Sequence, residues 1–297
     1  MDQAEKLRNV IKLNNQNNKP NARVITITSG KGGVGKSNVA VNLAVQMQKM
    51  GQQVLIFDAD FGLANVEVMF GAIPKYNLSD VIYRGKGIRE IISDGPEGIG
   101  FISGGTGISG MNDLSQDQIV YMLRCMRELD QLADIILIDT GAGISGNVLE
   151  FVLASPEVLL VTTPEPGSLT DSYSLLKALY RNPRFDREQT RIGMLANRVV
   201  SVEEGRSVYD KLNSVVQQFL QGNVFYTGMI PQDHALERCV RQQKPVSLAE
   251  PSARSAKAFE MMAAGILNHE ERPAELSAGI SQLFSRLLRK KEQGGVP

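Results

Sequence analysis

Short runs of apolar residues alternate along this chain with longer segments whose apolar positions recur at helical spacing. The runs are rich in β-branched residues and end in a polar residue. Because they are apolar on both faces, we expect central parallel strands covered by helices. The alternation predicts an α/β fold with a doubly wound, mainly parallel sheet flanked by helices. The predicted strands are Val24–Thr28, Val54–Phe57, Ile135–Ile138, Val158–Val161 and Ile192–Ala196.

Amphipathic helices are predicted between most of these runs. Three segments break the rhythm, and one of them, residues 268–274 with Pro273, separates the last predicted helix from the C-terminal amphipathic stretch. Residues 14–21 are asparagine-rich and too polar to pack, which is typical of a flexible linker. Residues 71–115 are glycine-rich and weakly periodic, which predicts surface structure carrying loops. The predicted helices are Ser37–Met50, Gln116–Leu132, Leu169–Tyr180, Val202–Leu220, His234–Gln243 and Ala253–Leu267.

Length and composition indicate one large domain with two tails. A chain of 297 residues that is 42% hydrophobic can bury a single α/β core. We expect an N-terminal motif and linker at 1–21, the α/β domain at 22–268 and a C-terminal amphipathic helix at 269–297.

Charge and cysteine usage exclude some functions. The 32 basic residues balance the 32 acidic ones, so no nucleic-acid partner is expected on charge alone. Cys125 and Cys239 form no C-x-x-C pair, which suits a reducing cytoplasm and, with only two histidines, disfavours structural zinc. No signal-peptide core and no run of 18 apolar residues occurs, so we expect a cytoplasmic protein.

The clearest motif is a glycine-rich loop between the first predicted strand and the first predicted helix. Residues Gly30–Ser37 read GKGGVGKS. Glycines let backbone amides curl around phosphate oxygens, and the following helix N-terminus favours the negative charge. Lys36 can bridge the β- and γ-phosphates, and the Ser37 hydroxyl can bind Mg²⁺. The segment therefore predicts a nucleoside triphosphate site.

Three aspartates at predicted strand ends complete a candidate catalytic group. Asp139 follows the strand Ile135–Ile138, the arrangement that holds Mg²⁺ in such sites. Asp58 and Asp60 follow the second strand, where a carboxylate near the metal can orient an attacking water. The alternative for Asp139 is an ordinary helix cap.

The residues after the strand Ile192–Ala196 favour adenine over guanine. Guanine-specific sites use an aspartate three residues after an asparagine to accept from the base. Here Asn197 is followed at that spacing by Val200, which accepts no hydrogen bond. ATP and ADP with Mg²⁺ are therefore the expected ligands.

Both tails suggest docking segments. Leu276 and five further apolar residues of the C-terminal tail fall on one helical face, with basic residues beside or after them. This is the composition of a helix on an anionic membrane surface. Packing of the same face on the protein's own core is the alternative. The residues expected at the membrane are Ile280, Leu283, Phe284, Leu287, Leu288 and Lys290. The N-terminal residues place Ala4, Leu7 and Ile11 on one helical stripe, which indicates a partner-binding motif or a frayed terminus.

A second lysine in the glycine loop gives a family resemblance. The sequence KGGVGKS, with Lys31 in addition to Lys36, resembles the deviant P-loop of the MinD/ParA group of dimerising ATPases. The resemblance implies that Lys31 reaches across a dimer interface to the partner's nucleotide. It also implies that Asp60 positions the attacking water and that Asp58 lies nearer the metal, beside Ser37 and Asp139.

The same resemblance implies the remaining nucleotide contacts. It places Asn197 and the loop Pro231–Asp233 around adenine, and it places Glu165 and Asp171 near the dimer face. The predicted nucleotide-contacting residues are Gly30, Lys31, Gly32, Gly33, Val34, Gly35, Lys36, Ser37, Asn38, Glu165, Asn197, Pro231 and Asp233.

Further motifs resemble one branch of that family, the FlhG (YlxH, FleN) regulators of flagellar number and placement. They are the N-terminal DQAEKLR at Asp2–Arg8, the asparagine-rich linker, DADFGLAN at Asp58–Asn65, PQDH at Pro231–His234 and the basic amphipathic C-terminus. The branch implies ATP-dependent homodimers peripheral on the inner membrane face, stimulation of the FlhF GTPase, and contacts with flagellar C-ring proteins. The implied partner-binding residues are Asp2, Gln3, Glu5, Lys6, Leu7 and Arg8.

Other hypotheses remain open at this point. A division-site-selection MinD-type ATPase shares the chemistry and the C-terminal helix but lacks the N-terminal motif. A DNA-partition protein is disfavoured by the neutral charge. A metallocluster-carrying relative would require bridging cysteines, and a scaffold that binds nucleotide without turnover would not require Asp60.

Overall fold

A mainly parallel sheet forms the centre of the molecule. The computed structural model describes residues 20–61, 65–105, 114–268 and 279–288. The strands in these residues are β1 (Arg23–Thr28), β2 (Val54–Ala59), β3 (Ser93–Asp94), β4 (Gly100–Ser103), β5 (Ile135–Thr140), β6 (Glu157–Thr162), β7 (Arg191–Val199) and β8 (Phe225–Pro231). Their order is β3-β4-β2-β5-β1-β6-β7-β8, and only the edge pair β3 and β4 is antiparallel.

Helices cover the sheet, and most connect one parallel strand to the next. The helices are α1 (Lys36–Lys49), α2 (Asn65–Phe70), α3 (Leu78–Arg84), α4 (Ile88–Ile91), α5 (Gln116–Leu132), α6 (Gly146–Ala154), α7 (Pro166–Arg181), α8 (Val202–Leu220), α9 (His234–Arg241), α10 (Val246–Ala249), α11 (Arg254–Leu267) and α12 (Ile280–Leu288).

The winding of the sheet positions the functional edge. From β1 the chain builds one side of the sheet through β2, β4 and β5, and it then builds the other side through β6, β7 and β8. The carboxyl ends of parallel strands meet at one edge, and ligands of such folds bind where the winding direction changes. The loop after β1 lies at this point.

Buried residues explain why this sheet forms. Strands β2 and β5 are buried along their whole length, including Asp58 and Asp139, because helices cover both faces. Helix α1 is buried on nearly all sides, against the sheet and against α11. A helix held this firmly fixes the glycine loop that precedes it.

The structure extends and corrects the elements predicted from periodicity. Helices α5 and α8 have the predicted bounds, whereas β2 and β5 each run two residues further and so include Asp58 and Asp139. The segment 71–115 is not merely surface structure, because its described part contains β4, whose Phe101 is fully buried beside β2. Strand β8 and helix α6 were also not predicted.

Helix α12 is docked on the core in this structure. Its apolar side chains Ile280, Leu283, Phe284, Leu287 and Leu288 are buried in the same cluster as residues of α5 and β2. The ring of Phe284 meets those of Phe57 and Phe151 edge-on, at centroid distances of 5.7 and 6.2 Å. The face expected at the membrane is therefore covered here by the protein itself.

Candidate active site

The glycine loop crosses the carboxyl ends of β1 and β5. Gly33 and Gly35 adopt positive φ values of 77° and 96°, a conformation that glycine reaches without a steric penalty. Gly35 is the N-cap of α1, and the cap position has no side-chain hydrogen bond. The first amides of α1 thus remain oriented toward an anion, as a phosphate site requires.

Gly30 is held against helix α7. A Cβ at Gly30 would lie 2.1–2.3 Å from backbone atoms of Asp171 and Ser172, so only glycine allows this approach. The Ser172 hydroxyl is 2.8 Å from that of Thr162 at the end of β6. The loop is also tied to β5, because the Gly143 amide donates to the Ser29 carbonyl at 2.9 Å. These contacts were not predicted from sequence, since a close backbone approach leaves only a glycine as its signal.

Asp139 is the site's most unusual carboxylate. It is fully buried, and among the described residues neither of its oxygens makes a hydrogen bond of normal geometry, although the Ser37 hydroxyl is close enough to lower its pKa. Burial is the main cause that raises its pKa to about 7; the charge of Asp58 adds to this, while the neighbouring Ser37 and Lys36 act in the opposite direction. A buried carboxylate without a partner is costly unless a cation completes the site.

Asp58 organises the loop that follows β2. Its carboxylate accepts from the backbone amides of Asp60, Asn65 and Val66 at 3.0, 3.0 and 3.1 Å. Burial raises its pKa to about 6, and the three amide hydrogen bonds oppose that rise. The predicted metal residue therefore anchors the chain around Asp60 and the start of α2. Direct or water-mediated contact with a metal stays a prediction.

Asp60 follows β2 and is the third aspartate at this edge of the sheet. Its Oδ2 accepts from the Asn65 side-chain amide at 3.3 Å, and its Oδ1 would lie 3.6 Å from a Cβ placed on Gly141. Asp60 is thus beside the loop that follows β5, and its charge acts on both Asp139 and Lys36. The structure brings together the residues that sequence reasoning selected at this edge.

The two lysines of the loop have different surroundings. Lys36 is buried, and burial lowers its pKa, although the charges of Asp139, Asp60 and Asp58 oppose that change. Lys31 is exposed, and a Cβ on Gly167 would lie 3.5 Å from its Nζ, at the N-terminus of α7. Lys36 can therefore serve a nucleotide on its own chain, and Lys31 is accessible to a second molecule.

Glu165 lies beside Lys31 at the same corner. It is exposed and is the N-cap residue of α7. A hydrogen bond with Thr163 lowers its pKa, and the charges of Arg198 and Lys31 act in the same direction. Asp171, six residues further along the chain, lies at the contact with Gly30.

Of the predicted adenine residues, Asn197 lies at the glycine loop, and the side chains of Asn197 and Asp233 have partners within the protein. The Asn197 side chain lies beneath the glycine loop and donates to the Val34 carbonyl at 2.7 Å. Asp233 caps α9 by accepting from Ala235 at 2.9 Å, and it accepts from the amide and hydroxyl of Ser255 at 3.0 and 2.8 Å. Burial would raise the pKa of Asp233, but these hydrogen bonds outweigh burial and lower it. Pro231 closes β8 and is buried. Contact with a base stays a prediction for all three.

The oxygen donors present fit Mg²⁺ better than a transition metal. Within the described ranges, no group of three His, Cys, Asp or Glu side chains is arranged to hold a metal ion alone. Ser37, Asp58 and Asp139 offer hydroxyl and carboxylate oxygens, the ligands of a Mg²⁺ ion that keeps waters and phosphate oxygens in its shell. A cation at this site would depend on the nucleotide for part of its shell.

The tails are only partly described. The N-terminal residues Asp2, Gln3, Glu5, Lys6, Leu7 and Arg8, and Lys290 beyond α12, lie outside the described residues. In the part of the chain that the structure describes, no helix is long and apolar enough to span a membrane.

A parallel sheet, a glycine loop ahead of a buried helix, and carboxylates on the neighbouring strand ends define a P-loop nucleotide-binding protein. Residues 25–246 match the CobQ/CobB/MinD/ParA nucleotide binding domain. The chain belongs to this family and is one of its ATPases.

Two relatives and one solved structure are similar to this chain over most of its length. The chain is 40% identical over 241 residues to the antiactivator FleN of Pseudomonas aeruginosa, covering 81% of this chain and 85% of FleN. It is 34% identical over 301 residues to the flagellum site-determining protein YlxH of Helicobacter pylori, and the match covers 97% of this chain and 98% of YlxH. The structure of the septum site-determining protein MinD with Mg-ADP from Pyrococcus horikoshii has the same fold, with a TM-score of 0.65 at 24% identity. The match covers 83% of this chain and 96% of that MinD chain.

Proposed function

We propose that this protein is an ATP-dependent, dimerising regulator of flagellar number and placement of the FlhG type. The observation that carries the proposal is an exposed Lys31 at the corner of an otherwise complete P-loop site. A lysine that served only its own nucleotide would have to turn into the site, as Lys36 does. The flagellar role is supported by the similarity to FleN and YlxH, which extends over most of the chain.

The reaction is hydrolysis of ATP to ADP and phosphate, with Mg²⁺ supplying charge neutralisation at the β- and γ-phosphates. The loop amides and Lys36 would bind the phosphates, and Ser37 and Asp139 would hold the Mg²⁺ ion. Asp60 orients the attacking water, because its carboxylate lies beside the loop after β5 and is fixed by Asn65. Lys31 of one chain adds positive charge to the partner's terminal phosphate.

Membrane association follows from release of α12 in this proposal. The apolar face of the helix is covered in the described state, so a lipid surface has to compete with the contacts to α5 and β2. Two released helices in a dimer bind cooperatively by linkage, which raises avidity by roughly 10²- to 10⁴-fold. ATP-dependent dimerisation then determines when the protein is on the inner face of the membrane.

The N-terminal motif and the flagellar partners complete the proposal. We infer that Asp2–Arg8 stimulates the FlhF GTPase and that the core contacts C-ring proteins. A peptide of residues 1–20 tested for stimulation of FlhF hydrolysis separates this role from that of a division-site MinD, which lacks the motif.

The central experiment measures the oligomer in solution. Asp60→Ala should bind ATP but not hydrolyse it, and with ATP and Mg²⁺ it should elute as a dimer in size exclusion with light scattering. The double variant with Lys31→Ala should bind ATP and remain a monomer. A monomeric Asp60→Ala protein at saturating nucleotide, or an unchanged dimer without Lys31, contradicts the proposal.

A further inference from the structure

Asn197 makes contacts that concern the phosphate side of the site. Its side chain is 3% exposed at the end of β7. Its Nδ2 donates to the Val34 carbonyl at 2.7 Å, and its Oδ1 accepts from the backbone amide of Arg198 at 3.0 Å. Both ends of the amide group are therefore engaged within the protein, and its orientation is fixed.

The fit beneath the loop is close. A Cβ on Gly35 would lie 2.6 Å from Asn197 Nδ2, so the amide packs directly under the α-carbon of Gly35. The strand is irregular at the same place, because the pairing of β7 with β8 shifts between Asn197 and Val199. Arg198, in that irregularity, has a positive φ of 59°, which is uncommon for a residue other than glycine. The backbone of β7 is thus distorted at the residue that brings its side chain to the loop.

The hydrogen bond to Val34 determines the direction of a loop amide. In a planar trans peptide, the carbonyl and the amide that follows it point in opposite directions. Because the Val34 carbonyl accepts from Asn197, the Gly35 amide points to the opposite side of the loop, away from Asn197. Gly35 directly precedes Lys36 and Ser37, so Asn197 fixes the peptide at the entrance to α1.

We propose that Asn197 is a positioning residue for phosphate binding, which holds the Val34–Gly35 peptide of the glycine loop in its binding orientation. This inference rests on the proposed function, since it concerns the same ATP site. It differs from the base contact that the family resemblance implies, because it acts through the loop and is independent of the base. Loss of this hydrogen bond would allow the Val34–Gly35 peptide to rotate. The affinity for every ligand that carries a triphosphate would then fall.

The test compares ligands that do and do not contain adenine. Binding of ATP, GTP and inorganic tripolyphosphate, each with Mg²⁺, is measured by calorimetry for the wild type, Asn197→Ala and Asn197→Asp. Asn197→Asp keeps the volume and the acceptor for Arg198, but it places an oxygen against the Val34 carbonyl. It therefore serves as the folded variant if Asn197→Ala loses stability. Unfolding midpoints are recorded for each variant.

A matched control removes a similar asparagine far from the loop. In Asn213 of α8, Nδ2 donates to the Tyr209 hydroxyl at 3.3 Å, and Oδ1 accepts from the Val224 amide at 3.2 Å. Asn213→Ala measures the effect of losing two such hydrogen bonds on stability alone, and it should leave all three affinities unchanged.

The expected result is a loss of about tenfold or more in affinity for ATP, GTP and tripolyphosphate alike, with the ratio of ATP to GTP affinity unchanged. A reduced preference for ATP over GTP with unchanged tripolyphosphate binding would assign Asn197 to the base and overturn the inference. Unchanged affinities for all three ligands would overturn it as well. Absence of ATP binding by the wild type would contradict the proposed function instead.

Discussion

Release of helix α12 can be tested through Asp130. This buried carboxylate of α5 caps the N-terminus of α12. It accepts from the amides of Ile280 and Ser281 at 2.7 and 3.2 Å, and from the Ser281 hydroxyl at 2.5 Å. Gly279 allows the approach, since a Cβ there would lie 2.2 Å from Asp130 Oδ1. The substitution Asp130→Ala removes all three hydrogen bonds while leaving the apolar face of the helix intact.

The energetics of α12 indicate that docking is nearly balanced. Five apolar side chains are buried, which stabilises the docked helix by roughly 8–15 kcal/mol. Ordering its nine residues costs roughly 9–18 kcal/mol in backbone entropy. Because these contributions nearly cancel, the capping interaction has a large influence on the population of the docked state. Loss of a cap costs about 1–2 kcal/mol, which raises the ratio of undocked to docked helix roughly 5- to 30-fold.

The assay is co-sedimentation with vesicles that contain anionic phosphatidylglycerol, carried out without nucleotide. A larger fraction of Asp130→Ala than of the wild type should pellet with these vesicles. With neutral phosphatidylcholine vesicles the increase should be smaller, because the tail is basic and is attracted to anionic lipid. The control Ser201→Ala removes a cap from α8, where Ser201 accepts from the Glu204 amide at 3.2 Å, and it should not change pelleting.

Hydrogen exchange distinguishes the two ways in which this reasoning could fail. Faster exchange in α12 without lipid binding would show that the helix is released but is not a membrane anchor. Unchanged exchange in α12 would refute the argument that Asp130 holds the helix on the core.

Two other substitutions test the site itself. Gly30→Ala forces a Cβ into the backbone of α7, so it should lower the free energy of unfolding in urea by about 3 kcal/mol or more. In the control Gly32→Ala, the new Cβ has its nearest neighbour at 4.0 Å, so the free energy of unfolding should change by about 1 kcal/mol or less. Equal effects of the two substitutions would refute the close contact at Gly30. Asp139→Asn should remove the Mg²⁺ dependence of ATP binding, and it should also stabilise the ligand-free protein above pH 7. The direction of this effect follows from the pKa of Asp139, which is raised to about 7 in the folded protein, whereas the unfolded chain releases the same proton near pH 4. The free energy of unfolding of the wild type therefore falls between about pH 4 and 7, by up to roughly 4 kcal/mol. Stability profiles of the wild type and the variant that coincide over this range would contradict the assignment of a buried carboxylate with a raised pKa.

Local patterns specify much of this protein. Continuous apolar runs predicted the central strands, because a strand covered on both faces has no polar position to alternate with. The glycine loop predicted the nucleotide site, since few arrangements other than a phosphate site require glycines and a lysine between a strand and a helix. Polar residues at strand ends predicted that Asp58, Asp60 and Asp139 meet, because parallel strands share one carboxyl edge.

Other features depend on contacts between distant segments. Strand β4 and helix α6 are short, and a short segment is stabilised by its neighbours rather than by its own propensity. Whether the face of α12 meets lipid or core depends on the exposed surface of α5 and on Asp130, which lies 150 residues before Ile280.

The sequence by itself determined the fold class, the glycine loop with its two lysines and the aspartates that follow the strands, because each is read from residues close together in the chain. Only the tertiary structure decided that Asp139 is fully buried, that Asn197 lies under the loop and that α12 is docked. Burial and hydrogen bonding between segments far apart in sequence are properties of the packed molecule, and no local pattern encodes them.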